Sequence, residues 1–511
     1  MRPAADATSG PGELPLAALW RAAAALAPEL FGAPTQRPAG DLAGGPSITS
    51  VAQDHRRVAP GALFVARRGQ KFDGHDYLPA AVAAGAVALV GDRPLADLAR
   101  VPTVPYLEVP DARLALPYLA AAFERRPSER LRVLGVTGTD GKTTTSYLLH
   151  WLLGGRFTAG LLSTAGNLLG ADALPPLAGH FTTPEAPEVQ AMLGRFLRAG
   201  ASHVVLESSS HGFSLHRLDA VDYATGVFTN LTPEHLDHHG SIEAYREAKL
   251  TLLRRAERAV VNLDDEHASH FLAAGRQVVT YGRGARADVR IDAIEPRPGG
   301  LELLLHVFGR RLAAELPLVG GFNAWNAAAA VAAATLEGVP AEEAAARLAA
   351  FPGVPGRMQV VQSAPVTVIV DFAHTPPAVA KALAAVRRPT GRTIVVVGAA
   401  GERDPGKRPL IGRAAVLGAD LAVFTEEDSR SESTAAILAA IAEGAAAAGG
   451  RAGTDYLLVP DRREAIGTAL GRALPGDVVL LAGKGHERTL ERANETLPWD
   501  EAAEARLALL T

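Results

Sequence analysis

The sequence contains no cysteine. Disulfides, thiolate-held zinc and a cysteine nucleophile are therefore excluded. Aromatic residues are sparse, at 5% of 511, and no apolar run reaches the length of a bilayer span; even LLHWLLGG is interrupted too soon. Neither sign of charge is in excess, since 51 basic residues face 55 acidic ones for a net -4. That balance gives no sign of a nucleic-acid partner or of membrane insertion. The N-terminus, MRPAADATSGPGELPLAALW, carries acids and prolines where a signal would be basic and then apolar, so export is not expected. Lysine is scarce as well: of the 51 basic residues only Lys71, Lys142, Lys249, Lys381, Lys407 and Lys484 are lysines. Arginine is always protonated, whereas a lysine amine can lose its proton. A lysine kept in an arginine-preferring chain therefore points to a need for an amine, with survival by chance as the plain alternative. With 48% hydrophobic and 21% charged residues, the expectation is a cytoplasmic globular protein of about three domains at roughly 150 residues each.

Residues 1–46, rich in Ala, Pro and Gly, read as a flexible N-terminal segment. ALFVA and AVALV then read as short strands around the small helix YLPAAVAAGA, and FERRPSERLR ends a first domain near residue 130. LRVLGV is a buried strand, GTDGKTT a loop and TTSYLLHWLLGG an amphipathic helix. Strand-like runs at SHVVLE, ATGVFTN, AVVNLD and QVVTYG follow, alternating with helical text, which predicts a parallel sheet covered on both faces. A hairpin-like stretch (VRIDAI, LELLLHV, RRLAAELPL) and an Ala-rich helix lead to PGVPGR, a boundary near residue 353. VTVIVDF, TIVVVGAA, ADLAVFT, YLLV and DVVLLAG repeat the α/β pattern to the end.

The sharpest local signal is Gly138-Thr139-Asp140-Gly141-Lys142-Thr143-Thr144 between a strand and a helix. Glycines let backbone N–H groups curl around a phosphate, and the helix N-terminus adds partial positive charge. Lys142 would neutralise the outer phosphates and Thr143 would offer a hydroxyl to magnesium. The spacing is not the standard Walker pattern, because the upstream Gly135 lies one residue too far away. A Gly-rich turn without a ligand is the bland alternative. Asp140 is unusual there, since an acid repels phosphate unless it faces magnesium or solvent. Polar residues also follow three strand-like or helical segments. His203-Val-Val-Leu-Glu207-Ser-Ser-Ser-His211 puts a carboxylate past a strand, Thr229 to Gly240 packs acids with His235, His238 and His239, and Tyr245-Arg-Glu-Ala-Lys249 lies on a helix. Such carboxylates and imidazoles suit magnesium when a nucleotide phosphate completes the shell. A zinc site from His235, His238 and His239 is the weaker reading, because the spacing fits no zinc motif.

TGTDGKTTT, TTPE, ESSSH, TNLTPEHLDHHG, YREAK, GFNAWN, PGR, DFAHTP, GERDPGKRP, TEEDSR and GKGHE occur in that order. In carrying them the chain resembles the Mur ligases, from about residue 48 to the last helix. The resemblance implies three domains of α/β class: a small α/β domain for a UDP-linked substrate at 47–130, a central P-loop ATPase domain with a parallel sheet at 131–352, and a Rossmann-like domain for the amino acid at 353–511. The implied activity is ATP-dependent addition of a diamino acid (lysine, ornithine or meso-diaminopimelate) to UDP-N-acetylmuramoyl-L-alanyl-D-glutamate, through an acyl phosphate, in peptidoglycan precursor synthesis. ATP, the UDP-sugar dipeptide and the diamino acid would be its partners, Mg2+ its metal, and a monomer its form. A ligase of the same fold with another acceptor, such as a folylpolyglutamate or another peptide, stays open. So does a P-loop ATPase without ligase activity.

Position by position, the resemblance assigns catalysis to Lys142, Glu207, His235 and Lys249. Thr143, Glu207 and His235 would hold metal, joined by Lys249 as a carbamate. Thr137 to Thr144, Asn323, Asn326, Arg357, Asp371 and His374 would contact the nucleotide. His55, Gln70, Lys71, Phe72, Thr182, Thr183, Ser209 and Arg217 match UDP-substrate positions, and Arg403, Glu427, Asp428, Ser429, Arg430, Gly483 and Glu487 match amino-acid positions. The chain departs from the family at Asp140 (usually Asn), at His55 (a Ser elsewhere), at Phe181 and Leu215 (polar elsewhere), and at Glu427-Asp428-Ser429-Arg430, where diaminopimelate-adding members have Asp-Asn-Pro-Arg. Three acids near the far end of the diamino acid (Glu427, Asp428 and Glu487) are expected to favour a bare ammonium, with Arg430 opposing them as the natural partner of a carboxylate.

Overall fold

The computed structural model describes residues 12–31, 44–69, 72–175, 177, 182–297 and 299–510. They divide into two compact units: one runs up to Ala287 and includes Ala332–Val339, and the other is Asp288–Val331 with Pro340 onward.

The first unit opens on a helix, Leu16–Leu26, followed by the turn Pro28–Phe31. Leu16, Leu19, Trp20, Ala23, Ala27 and Phe31 recur at helical spacing and are buried, Trp20 meeting Phe31 edge-on at 5.1 Å. They pack on the helix Ala112–Phe123 in one core cluster. For residues 12–31 this corrects the reading of 1–46 as a flexible segment; residues 1–11 and 32–43 lie outside the described residues. The Ala-rich text hid an amphipathic stripe that a loose segment would leave in water. Behind it stands a four-stranded parallel sheet in the order Ser50–Ala52, Ala62–Ala66, Ala86–Gly91, Tyr106–Glu108.

The larger sheet of this unit runs Asp172–Leu174, Gly166–Leu169, Ala159–Ser163, His203–Glu207, Arg132–Thr137, Thr225–Phe228, Arg258–Asn262, Val278–Gly282. Its pairings are parallel from Ala159–Ser163 onward, and only the first two strands fold back as antiparallel additions. Val133, Leu134, Val136, Val204, Val205 and Leu206 are fully buried, as strands covered on both faces require. Polar text is displaced to the strand ends. At the C-terminal edge, Glu207 pairs with Val136 and Phe228 with Thr137, so the loops after three adjacent strands leave the sheet side by side.

The opposite edge carries a charge clasp. The buried Glu337 accepts hydrogen bonds from Arg132 Nε at 2.5 Å, Arg258 Nη2 at 2.7 Å and Thr225 Oγ1 at 2.8 Å. Burial alone would raise its carboxyl, but hydrogen bonds from His203, Arg132 and Thr225 and the charge of Arg258 outweigh it and hold the pKa at about 2. An unfolded glutamate titrates near 4.5. The carboxylate therefore contributes about 3 kcal/mol of stability above about pH 4.5, and loses it as pH falls towards about 2. Glu337→Gln should lower the unfolding free energy at pH 7 by about that amount. The gap from wild type should then close through the same acid window, as read by urea titrations at stepped pH.

In the second unit, Val289–Arg297, Gly300–Val307 and Arg310–Leu316 form the antiparallel meander expected from their alternating text. A six-stranded sheet follows in the order Gln359–Gln362, Thr367–Asp371, Val478–Ala482, Thr393–Val397, Leu421–Phe424, Tyr456–Leu458, parallel except for the first pair. Helices Pro376–Val386, Lys407–Gly418 and Thr434–Ala447 cover one face, and Arg462–Arg472 with Glu501–Ala508 the other. The α/β class with doubly covered parallel sheets is the one anticipated.

Candidate active site

The strand Arg132–Thr137 delivers the loop 138–141 to the N-terminus of the helix Lys142–Leu153. Gly138 has φ 152°, and a Cβ there would lie 1.8 Å from Thr229 Oγ1. Only glycine lets the two loops meet so closely. The second loop clamps the first. Thr139 N donates to Asn230 O at 2.9 Å and Asp140 N to Asn230 Oδ1 at 2.8 Å, while Thr229 Oγ1 donates to Asp140 O at 2.7 Å. Thr139 Oγ1 also lies 3.2 Å from Tyr245 OH. Asp140 is exposed, so its charge faces solvent.

Thr143 Oγ1 donates to Glu207 Oε1 at 2.9 Å, and Glu207 Oε2 accepts from Ser163 Oγ at 2.6 Å and Thr164 N at 3.0 Å. A buried carboxylate aimed at the P-loop hydroxyl is a pair of hard oxygen donors, which fits magnesium. Lys142 Nζ donates to Gly138 O at 3.1 Å and Thr139 O at 2.8 Å. Lys249 Nζ donates to the same Gly138 carbonyl and stands 4.3 Å over the Tyr245 ring. Burial, and then the charge of Lys142, push its amine well below the usual lysine range. A buried amine shifted in that direction more readily loses its proton than an exposed lysine does.

His235 stands apart from that pair. No contact among the described residues joins it to Glu207; its Nε2 faces Glu234 at 3.7 Å and its ring meets His211 at 4.7 Å. Burial lowers its pKa, as do the charges of Lys142 and Lys249, against Glu234. The imidazoles that converge are His211, His238 and His239 instead of the set with His235. Burial first, and then neighbouring rings, lower His211 and His239 to about 4.

The acceptor-side residues gather beside the same strand end. Thr183 Oγ1 donates to Glu207 O at 3.0 Å and lies 2.9 Å from Ser209 Oγ, which in turn caps the next helix by accepting from Gly212 N at 3.0 Å. Arg217 donates to Thr183 O at 2.8 Å and pairs with Glu185 at 2.8 Å; Glu185 also takes Arg67 at 3.3 Å. Glu185 and Arg67 were not flagged from sequence, although Glu185 stands inside TTPE. His55 stacks on Tyr77 at 4.4 Å, Phe72 is 70% exposed, and Thr182 and Leu215 are half-buried. Gln70, Lys71 and Phe181 lie outside the described residues.

In the second unit, Asn323 and Asn326 bond to each other at 2.9 Å on the first turn of the helix Asn323–Leu336. Asp371 accepts from Met358 N at 2.8 Å and Ala373 N at 2.9 Å, with burial raising its pKa. The Arg357 guanidinium lies 4.6 Å over Phe372, and His374 Nδ1 is 2.9 Å from Phe372 O.

The amino-acid motifs also converge in this unit, with partners that the sequence count of charges missed. The fully buried Lys484 donates to Asp428 Oδ1 at 2.8 Å and Glu487 Oε2 at 2.5 Å. Arg430 donates to Glu491 Oε2 at 3.0 Å and Gly401 O at 2.8 Å. Ser429 is buried and Arg403 exposed. Glu427 Oε2 is buried with no hydrogen-bond partner among the described residues, and burial raises the pKa of Glu427. Gly483, at φ 104°, passes so near that a Cβ would stand 2.9 Å from that oxygen.

A strand–loop–helix turn, a buried carboxylate on its hydroxyl and a separate doubly wound sheet with a cluster of buried acids are parts that suit an ATP-dependent ligase. Comparison with known proteins agrees. The "Mur ligase family, catalytic domain" matches residues 47–124, the "Mur ligase middle domain" 136–334 and the "Mur ligase, glutamate ligase domain" 356–485. A UDP-N-acetylmuramyl-tripeptide synthetase of Roseiflexus sp. (strain RS-1) is 46% identical over 486 residues, 91% of this chain and 95% of that one. A UDP-N-acetylmuramoyl-L-alanyl-D-glutamate--2,6-diaminopimelate ligase of Geobacillus thermodenitrificans is 41% identical over 482 residues, 91% and 96% of the two chains. A solved structure of a ligase with that second description superposes with TM-score 0.63 at 32% identity, covering 90% of this chain and 94% of that one. The chain belongs to the Mur ligase family, and it is an ATP-dependent ligase that forms an amide bond. No helix among the described residues is long and apolar enough to cross a membrane.

Proposed function

We propose that this chain adds a diamino acid to UDP-N-acetylmuramoyl-L-alanyl-D-glutamate, in the cytoplasm and as a monomer, during peptidoglycan precursor synthesis. The observation that carries the proposal is the bond from Thr183 Oγ1 to Glu207 O. It ties the acceptor-side residues to the main chain of Glu207, the residue whose carboxylate faces the P-loop hydroxyl, so acceptor and nucleotide phosphate could approach one another. The relatives named above supply the acceptor's identity.

ATP would phosphorylate the D-glutamyl side-chain carboxylate, and the neutral amine of the diamino acid would attack the acyl phosphate and expel phosphate. Thr143 and Glu207 would hold magnesium, joined by His235 once it moves from its place against Glu234 and His211, and the ion would withdraw charge from the transferring phosphoryl group. Lys142, released from Gly138 and Thr139, would face that group's outer oxygens. Lys249 would add carbon dioxide, forming an N–C bond and releasing a proton, and so set a second carboxylate beside Gly138. Arg217, Thr183 and Ser209 would orient the acceptor. Phosphate release assayed with and without the UDP-sugar dipeptide tests this. Release that ignores the acceptor would mean a plain ATPase, and release with a different acceptor would mean another ligase.

For the amino acid, Glu427, Asp428, Glu487 and Glu491 gather with Lys484 and Arg430, and the charges of Lys407 and Arg462 also reach Glu427. Arg430 is already engaged by Glu491, and Glu427 is the unpartnered carboxyl. A bare ammonium suits that pocket. A second carboxylate about 4 Å from a carboxylate would meet up to ~4 kcal/mol of repulsion at an effective dielectric near 20. With lysine, ornithine and meso-diaminopimelate competing at equal concentration, product masses should show mostly lysine or ornithine. Mostly diaminopimelate product would show that Arg430 leaves Glu491 for the substrate.

A further inference from the structure

Three imidazoles meet at a place the ligase chemistry does not use. His211 lies in the helix Ser210–Ser214, and His238 and His239 close the turn Leu236–His239. One ring nitrogen from each lies within 4.8 Å of the other two, and all three residues are half-buried. Ring centroids are 4.2 Å apart for His211 and His238, 4.7 Å for His238 and His239, and 5.4 Å for His211 and His239. Two rings are already held from behind. Ser214 Oγ is 3.0 Å from His238 Nε2, and Ser210 Oγ is 3.1 Å from His239 Nε2. Where the serine oxygen accepts from Nε2–H, the tautomer is fixed and Nδ1 keeps the lone pair that a metal would take, as outer partners do at imidazole metal sites.

We propose that His211, His238 and His239 form a binding site for a transition-metal dication of the zinc type, separate from the hard-oxygen pair of Thr143 and Glu207. Three imidazoles without a carboxylate among them select zinc or cobalt over magnesium, which takes oxygen donors. Three protein nitrogens with the fourth position open to water are an ordinary zinc arrangement at ligand distances of about 2.0–2.1 Å. Half-burial leaves that water a way in. Rotation of the rings by about an ångström at their nitrogens would bring the trio to one ion. The ion would then pin the helix that carries His211 to the turn that carries His238 and His239.

The test uses the full chain, freed of metal by chelator and held in excess Mg2+, titrated with Co2+ and then Zn2+. The expected result is one equivalent of Co2+ with the visible absorption of a low-coordinate nitrogen site, displaced stoichiometrically by Zn2+, and a raised melting temperature. His238→Asn and His211→Asn should each weaken Co2+ binding at least about tenfold. Ser214→Ala, which leaves all three rings in place, should weaken it less and guards against a variant that simply misfolds. His235→Asn should leave the Co2+ spectrum in place. The proposal is overturned if no saturable Co2+ band appears in excess Mg2+. It is equally overturned if the band survives His238→Asn, or if it is lost in His235→Asn while that variant melts as wild type.

Discussion

Lys249→Ala is expected to lose turnover by at least about a hundredfold while keeping the near-ultraviolet spectrum of the wild type. The amine is buried, shares the Gly138 carbonyl with Lys142 and is held uncharged by burial and by that neighbouring ammonium. Charging both amines on one carbonyl would be unfavourable, whereas a carbamate on Lys249 would attract the Lys142 ammonium. Acetate or a similar small carboxylic acid should restore part of the activity of Lys249→Ala by supplying the missing oxygens. Lys249→Arg should not recover it, because a guanidinium stays protonated and adds no carbon dioxide. Labelled bicarbonate should give a carbamate carbon signal in wild type that is absent from Lys249→Ala. Unchanged turnover in Lys249→Ala would end this account of the residue.

Lys142→Ala should separate catalysis from folding in the other lysine of the pair. Its two hydrogen bonds go to carbonyls of its own loop, so their loss should cost about 1 kcal/mol of stability. Removing a cation that faces developing charge on a transferring phosphoryl group should instead cost about 3–4 kcal/mol of barrier, or two to three orders of magnitude in kcat. Melting near wild type with collapsed ATP turnover is the expected pair of results. A variant that unfolds with no separable effect on turnover would make Lys142 a structural residue.

Much of the candidate site was legible because its chemistry is local. The loop 138–144 carries its glycines, lysine and threonines in seven consecutive positions, and the strand before it is apolar from Val133 to Val136. Glu207 could be flagged because it is a carboxylate closing a strand-like run, and the structure makes it the last residue of that strand. Lysine's rarity marked Lys142, Lys249 and Lys484 before any contact was known. The first helix was missed for an equally local reason: alanine serves helix and loose text alike, and only the spacing of Leu16, Leu19, Trp20 and Ala23 distinguished them.

Period, composition and contiguous motifs thus dictated the α/β class, the phosphate loop and the residue types that could do ligase chemistry. Tertiary structure alone decided their partners. It placed Thr143 on Glu207 across 64 positions, joined His211 to His238 and His239 and left His235 aside, and lodged Lys484 between Asp428 and Glu487. It also tied Arg430 to Glu491, which changed the charge balance of the amino-acid pocket from the one counted in the motifs. The reason is physical: secondary-structure period is a property of neighbours along the chain, whereas a carboxylate's partner depends on which strand ends the sheet order sets side by side, and that order is chosen by packing of the whole core.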